Sequence, residues 1–472
     1  MSLALKVAKN TFYQIIGKVV GTVFGLITVG LMTRYLGQTG FGYYTSIITF
    51  LQFFGVIIDF GLQMTTSQML ARPGADENKI FNNILTLRFF SALIFMGASV
   101  VLVWFLPYPE IIKAGVTITG LSFFFIALQS VFVSIFQKNL DMAVVAWGDV
   151  WGRAVLLLGV WFFVSTSRGL LLIMTAVVLG SFANFIYLYI KSSKYFKLRF
   201  SFDKKIWKDI WTMSWPLAIT ISLSLIYFRA DTLVLSFVRP QAEVGIYGAA
   251  YKVIEILTQF PYLFLGLLLP IFAKFVITNN DVFKKILQKT FDFLAIITIP
   301  MVLASVVLGN KIMLLIAGKE FLISGDILKI LILAVGVIYF GSFFGYAIVA
   351  SGLQKKMIKF YIFDAVFSLI MYLIFIPLYS FWAAAILTVI SELLITIPAY
   401  FILKKHLDIS FKMNVFLKSL LAALLMAAVL WLLLPLNIFA LIIIGLIVYF
   451  VFLFMMRGVD KSLLKELIIF KN

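Results

Sequence analysis

Apolar residues run along this chain in long stretches, broken by short clusters of charge, Gly, Pro and Asn. A helix rises about 1.5 Å per residue, so about 20 apolar residues carry it across a bilayer. Read on that scale, the runs predict fourteen spans near residues 10–33, 41–70, 84–106, 114–137, 143–165, 169–190, 213–237, 244–273, 290–310, 327–350, 358–378, 381–403, 416–434 and 437–456. Spans two and eight are longer than a crossing requires, which predicts tilt, a bend or an interfacial turn. Pro261 and Pro270 place a bend in span eight. The fold class is therefore all-α integral membrane.

Composition agrees with the pattern. The 472 residues are 63% hydrophobic and 12% charged, whereas soluble domains are about 45–50% apolar and about 25% charged. Such a chain cannot furnish the charged shell of a soluble enzyme, a nucleic-acid-binding domain or a secreted module. With no Cys, disulfides, thiolate catalysis and cysteine metal sites are excluded. The single histidine, His406, sits in a lysine-rich loop, which excludes histidine triads and zinc sites. No cleavable signal peptide is expected, because MSLALKVAKN leads straight into span one without a small-residue cleavage site.

The net charge of +19 follows from where Lys and Arg lie. With the N-terminus inside, 27 fall in cytoplasmic segments, 6 in external loops and 6 within spans. That bias predicts an even number of spans, both termini cytoplasmic, in a multi-pass protein of the cytoplasmic membrane. Seven of the cytoplasmic charges fall between Lys191 and Lys208, where Ile206, Trp207, Ile210 and Trp211 recur opposite Lys205 and Lys208. This spacing predicts a short helix lying on the inner membrane surface and joining two six-span lobes. The expected organisation is an N-lobe (1–190), a linker helix (191–212), a C-lobe (213–403) and a C-terminal hairpin with a cytoplasmic tail (404–472). A repeat supports it. FGYYTSIITFLQ from Phe41 and VGIYGAAYKVIE from Val244 align at an offset of 203, pairing Gly42 with Gly245 and Tyr44 with Tyr247. The offset covers six spans, so the repeat is parallel, about an axis along the membrane normal. Two such lobes with a site between them are what alternating access requires.

Charges inside spans carry the candidate chemistry, since each costs at least about 2.5–3.5 kcal/mol at mid-bilayer without a partner or water. Lys18 lies about 12 Å into span one, beside Gly17, Gly21 and Gly25 and with no acid in that helix. A cavity-facing cation and a lysine snorkelling to the headgroups are both open. By depth Lys18 and Arg153 fall in the inner half or middle, and Arg229 and Lys252 in the outer half or middle. Cations at successive depths suit a phosphate or pyrophosphate that stays bound while access switches sides. Two of them have an acid at helix-neighbour spacing, Asp149 with Arg153 and Lys252 with Glu255, so neutralised pairs are the competing reading. Arg229 and Asp231 point about 200° apart, which argues against simple pairing. Asp59, Asp149, Asp231, Glu255, Asp364 and Glu392 are candidates for coupling a proton or sodium ion, or for pairing helices. Arg88 and Lys329 lie nearer span ends, where snorkelling is the default. Spans thirteen and fourteen, joined at Pro435-Leu436-Asn437, are uncharged. They form either a lipid-tail groove or passive scaffolding.

Several of these stretches look familiar. Arg34-Tyr35-Leu36-Gly37, Phe41-Gly42-Tyr43-Tyr44 and Asp59-Phe60-Gly61-Leu62 resemble the first two spans of the O-antigen and teichoic-acid type polysaccharide-unit flippases. These belong to the MATE-like multidrug/oligosaccharidyl-lipid/polysaccharide superfamily. Asp231 and Val244 to Lys252 are similar to that family's spans seven and eight. Gly352 to Lys359, Ile376-Pro377 and Ser391-Glu392 are similar to its spans ten to twelve. The resemblance implies paired six-helix bundles around a cationic cavity. It also implies transfer of an undecaprenyl- or dolichyl-linked pyrophosphate sugar to the outer leaflet. In related lipid II flippases basic residues of spans one and eight line the cavity, and Lys18 and Lys252 occupy comparable positions. Span two departs from that pattern, since Asp59 is its only charge. The expected partners are a polyprenyl-linked oligosaccharide, membrane lipids and polysaccharide-assembly proteins, with no nucleic acid and a monomeric chain. No cofactor is expected beyond a coupling H+ or Na+. The competing readings are a cation-coupled multidrug exporter, which favours an acidic site and twelve spans, and a polysaccharide polymerase, which needs a large external loop.

Overall fold

The computed structural model describes residues 3–458 apart from 71–73, 75, 196 and 198. The expected C-terminal tail past 458 lies outside the described residues. Among those residues there is no strand. The helices are α1 (Leu3–Asp59), α2 (Leu62–Leu70), α3 (Glu77–Phe105), α4 (Glu110–Lys138), α5 (Met142–Ser165), α6 (Leu170–Ser192), α7 (Lys204–Val238), α8 (Gln241–Leu257), α9 (Gln259–Thr278), α10 (Asn280–Ile316), α11 (Leu322–Ala350), α12 (Ile358–Leu407), α13 (Asn414–Leu432) and α14 (Ile438–Met455). Eleven helical stretches among the described residues are long and apolar enough to cross a membrane. Backbone carbonyls and amides have no water to bond within a bilayer, which is why the chain satisfies them inside helices.

Interruptions fall where the hydropathy breaks. α1 turns at Gly37 (φ 63°, ψ −174°), between the first two expected spans, in a region of backbone space open essentially to glycine alone. α12 turns at Ser380 (φ 54°, ψ −139°), between expected spans eleven and twelve. Expected span two breaks near its inner end, where Phe60 (φ 43°) and Gly61 (φ 74°) separate α1 from α2. Expected span eight breaks at Thr258, between α8 and α9. Pro261 explains the second break. It has no N–H to give the Leu257 carbonyl, which instead accepts a 3.0 Å hydrogen bond from the Tyr339 hydroxyl. The same repair recurs in α10, where Pro300 orphans the Ile296 carbonyl and the Tyr449 hydroxyl donates to it at 2.8 Å.

The separate surface helix expected over 191–212 is not formed. Residues from Lys204 onward are the first turns of α7, capped by Asp203, whose side chain accepts from the amides of Lys205 and Ile206. Nothing between Asp203 and Pro216 breaks a helix, so the amphipathic stretch continues into the span. The described residues just before it are strapped to α3. Asn82 donates to the Lys197 carbonyl and accepts from the Arg199 amide, while Asn83 accepts from the Asp203 amide and Thr86 from the Ser201 amide. A Lys79–Asp203 ion pair of 2.6 Å closes the strap.

The chain divides into two compact units, residues 1–248 and 249–472. In the first, Leu62, Phe81, Ile84, Phe132, Phe136 and Leu188 build a packed core from α2, α3, α4 and α6. In the second, α13 and α14 pack on α10 through Ala295, Ala422, Ala423, Met426, Leu441 and Tyr449. Lipid is as apolar as these side chains, so close packing and small residues, rather than exclusion from water, hold such helices together. A close approach within the first unit joins the two copies of the repeat. A methyl at Gly42 would lie 1.7 Å from the Gln241 carbonyl oxygen, and one at Gly245 would lie 2.0 Å from that of Gln38. The contact is reciprocal, because Gln38 and Gln241 are themselves 203 residues apart. Ser46 adds a 2.6 Å hydrogen bond to Gln241, which in turn donates to the Ser236 carbonyl.

Candidate functional site

The candidate site is built on the glycine face of α1. Gly17, Gly21 and Gly25 stand four apart and so share one side of the helix. Helix α5 lies against that side. A methyl on Gly17 would meet the Ala146 side chain at 2.8 Å, one on Gly21 the Arg153 Cδ at 3.0 Å, and one on Gly25 the Arg153 Nη1 at 3.1 Å. The missing side chains leave a channel along α1 in which the arginine lies. Its Nη1 donates to the Gly21 carbonyl at 2.8 Å. On its other side α5 meets α6 at similar short range, Gly152 against the Gly180 carbonyl and Gly148 against Asn184.

Arg153 and Asp149 occupy one face of α5 at a spacing that permits an ion pair. They do not form one. Arg153 turns to α1, whereas Asp149 accepts a 3.0 Å hydrogen bond from Nδ2 of Asn184 on α6. Lys18, half-buried on α1, has no hydrogen bond or ion pair among the described residues, and it feels the charges of both Arg153 and Asp149. The result is a cluster of two cations and one carboxylate in which no cation is neutralised by direct contact. Asp149 is exposed although it lies well inside its span. A carboxylate there needs a polar partner or water beside it. Chemically, the cluster offers an ammonium and a half-used guanidinium to an anion, and phosphate matches both.

The other intramembrane charges sort differently. Arg88 does not snorkel. It is 2% exposed, donates to the carbonyls of Ile58 and Ala127, and pairs with Asp59 at 2.6 Å. The break after Asp59 explains this, since it orphans the Ile58 carbonyl and the guanidinium caps it. Asp59 is thus a helix-pairing acid. Lys329 is also paired, to Asp326 at 2.7 Å. Lys252 and Glu255 form the neutralised pair, at 2.9 Å. Arg229 is half-buried, and Asp231 is buried, accepting from Tyr247 at 2.5 Å and from the amide and hydroxyl of Thr232. Asp364, buried in the first half of α12, accepts from Ser391 in the second half at 2.9 Å and from Ser368 at 3.2 Å. Glu392 is buried beside that cluster's Ser391 in sequence. Asn184 is not among the residues expected from the sequence, although a lone amide within the apolar run SFANFIYL is a signal that a partner is needed.

The profile of a family described as polysaccharide biosynthesis protein (Polysacc_synt) matches residues 7–276, more than half of the chain. The chain belongs to this family. A curated relative, the capsular polysaccharide biosynthesis protein CapF of Staphylococcus aureus, is 26% identical over 216 residues, which is 45% of this chain. The match spans about half, 54%, of that relative's length. Among solved structures, the lipid II flippase MurJ in an inward closed conformation superposes with a TM-score of 0.77 at 18% identity, covering 94% of this chain and 98% of that one. An inward-facing MATE multidrug transporter of the MOP superfamily superposes with a TM-score of 0.66 at 15% identity, covering 84% and 98%. A MOP-superfamily transporter from Pyrococcus furiosus gives 0.57 at 14%, covering 86% and 96%. The polysaccharide biosynthesis family and the MOP fold together bear out the resemblance read from the sequence. The fold is that of flippases and transporters rather than that of an enzyme.

Proposed function

We propose that the chain is a flippase. On this reading it moves a polyprenyl-(pyro)phosphate-linked oligosaccharide from the inner to the outer leaflet of the cytoplasmic membrane by alternating access, for cell-surface polysaccharide assembly. Family membership and the MOP fold support the class. One observation carries the substrate's charge: Lys18 and Arg153 lie inside spans of one unit, and the nearby carboxylate contacts neither. Such cations cost at least about 2.5–3.5 kcal/mol each unless an anion or water meets them. A phosphate headgroup meets them, while the polyprenyl tail remains in lipid and the sugar stays wet. No bond is made or broken.

Counting a turn at Gly37 and another at Ser380, and taking α2 with the second half of α1 and α8 with α9 each as one crossing, gives the fourteen spans of this reading, with both termini cytoplasmic. Lys18 and Arg153 are its primary contacts. Arg229 and Lys252 are a second cationic set, with Lys252 weakened by its bond to Glu255. Asp231 and Asp364 are the acids best placed to couple a proton or sodium ion, since both are buried and held by hydroxyl groups. Those same acids favour the second reading, a cation-coupled multidrug exporter.

Proteoliposomes separate the two. With a fluorescent undecaprenyl-diphosphate disaccharide in the inner leaflet, the wild-type chain is expected to deliver it outward. Lys18→Ala and Arg153→Ala each lower that rate at least about tenfold, about 1.4 kcal/mol, while melting normally. Efflux of cationic dyes without any lipid-linked sugar transfer would establish the exporter instead.

A further inference from the structure

The carboxylate of Asp149 has no place in the transfer just described, yet among the described residues it lies near enough to act on both Lys18 and Arg153. Its position is specific. The i, i+4 spacing on α5 would let it clamp Arg153, and that clamp would leave the cation closed to substrate. Asn184 prevents it by holding Oδ1 of Asp149 at 3.0 Å, while the Gly21 carbonyl holds Arg153 toward α1 at 2.8 Å. Two neighbouring helices therefore keep a complementary pair apart at close range.

Resting on the flippase reading, we infer that Asp149 is a resident counter-charge that stands in for the substrate phosphate when the site is empty. With the site vacated, Lys18 and Arg153 alone would leave two uncompensated charges in the membrane during the return step. Asp149 reduces the excess to one without occupying the donors. When a phosphate arrives, it takes the donors that Asp149 leaves open, and the carboxylate repels it. Affinity is lowered and release on the far side is hastened. Asn184 is a positioning residue, acting through Asp149.

The prediction is a pair of opposite signs. Binding of undecaprenyl diphosphate to the purified full chain in nanodiscs is read by native mass spectrometry, and transfer is read in proteoliposomes. Asp149→Asn is expected to tighten binding about fivefold to tenfold and to slow turnover, because release becomes limiting. Asn184→Ala is expected to weaken binding by a similar factor, since the freed carboxylate swings onto Arg153. The double variant is expected to bind as tightly as Asp149→Asn, a non-additivity that loss of packing does not produce. Asp149→Ser carries the same expectation should Asp149→Asn not be recovered folded. Unchanged or weaker binding in the Asp149 variants, with wild type binding and Lys18→Gln not, overturns this inference and leaves the flippase reading standing. Wild type that binds no polyprenyl phosphate overturns both.

Discussion

Arg88 and Arg153 are both arginines inside expected membrane spans of the first unit, and they are held in opposite ways. Arg88 is enclosed by α1, α3 and α4, with two carbonyls, the Ser130 hydroxyl and the Asp59 carboxylate on its donors. Arg153 has one hydrogen bond among the described residues, to a glycine carbonyl, and its nearest acid is held by a different helix. Saturated donors in a dry setting make a clamp. Open donors near a carboxylate that another helix holds leave room for an anion. What distinguishes the two is the neighbours each residue meets, and residue type and depth alone do not separate them.

Removing the clamp has the largest expected effect. Arg88→Leu strands the Asp59 carboxylate and the Ile58 carbonyl, and is expected to lower stability by about 3–5 kcal/mol, read as thermal unfolding in detergent. Adding Asp59→Leu should return part of the loss. If Arg88→Leu instead unfolds like wild type, the contrast between the two arginines collapses. Arg153→Leu sharpens it from the other side, with at most about 1–2 kcal/mol lost in stability and headgroup binding lowered at least about tenfold.

Glycines make a second, smaller contrast along the same helix. At Gly42 an added methyl would strike the Gln241 backbone at 1.7 Å, whereas at Gly25 it would touch only the movable end of Arg153 at 3.1 Å. Gly42→Ala is expected to lose about 1–3 kcal/mol and Gly25→Ala about 0.5 kcal/mol or less. Equal losses would show that the crossing yields as readily as a side chain. Slightest of all is the strap on α3. The ion pair with Lys79, then the amide of Ile206, holds the Asp203 carboxyl below the usual range, and the bond to Asp203 holds Lys79 above its own. Asp203 therefore favours the docked strap above about pH 4 and loses its hold as pH falls further, while the Lys79 contribution is lost only above about pH 10. Because the chain has no Cys, a spin label attached at pH 7 to a single Phe200→Cys reports this, its mobility rising on acidification. A label mobility unchanged from pH 7 to pH 3 would contradict it.

Much of this fold was legible in the order of residues. The turns at Gly37 and Ser380 fall in the gaps left between apolar runs, and the bend in span eight was marked by Pro261. Hydropathy reports such breaks because leaving lipid, or losing an N–H, is a local event. The linker is ambiguous for a complementary reason. An amphipathic stretch looks alike whether it ends in a turn or runs on into a span, as it does in α7. The candidate site was half legible. Lys18 and Arg153 stand out as charges in oil, and the glycines beside Lys18 mark a thin helix face. That Arg153 would leave Asp149 for Gly21 was not readable, since a helix's own spacing says which residues share a side but not which neighbour claims them. The Arg88 clamp is hidden likewise, because it depends on the Ile58 carbonyl freed by the break after Asp59.

The central claim is that the open cations of the first unit grip the substrate's phosphate, and imaging the occupied chain tests it most directly. A cryo-electron-microscopy map of the full chain with an undecaprenyl-diphosphate sugar is predicted to place phosphate oxygens about 3 Å from Lys18 Nζ and the Arg153 guanidinium, with Arg88 still bound to Asp59. Phosphate density elsewhere, with Lys18 and Arg153 lying against acyl chains, would contradict it.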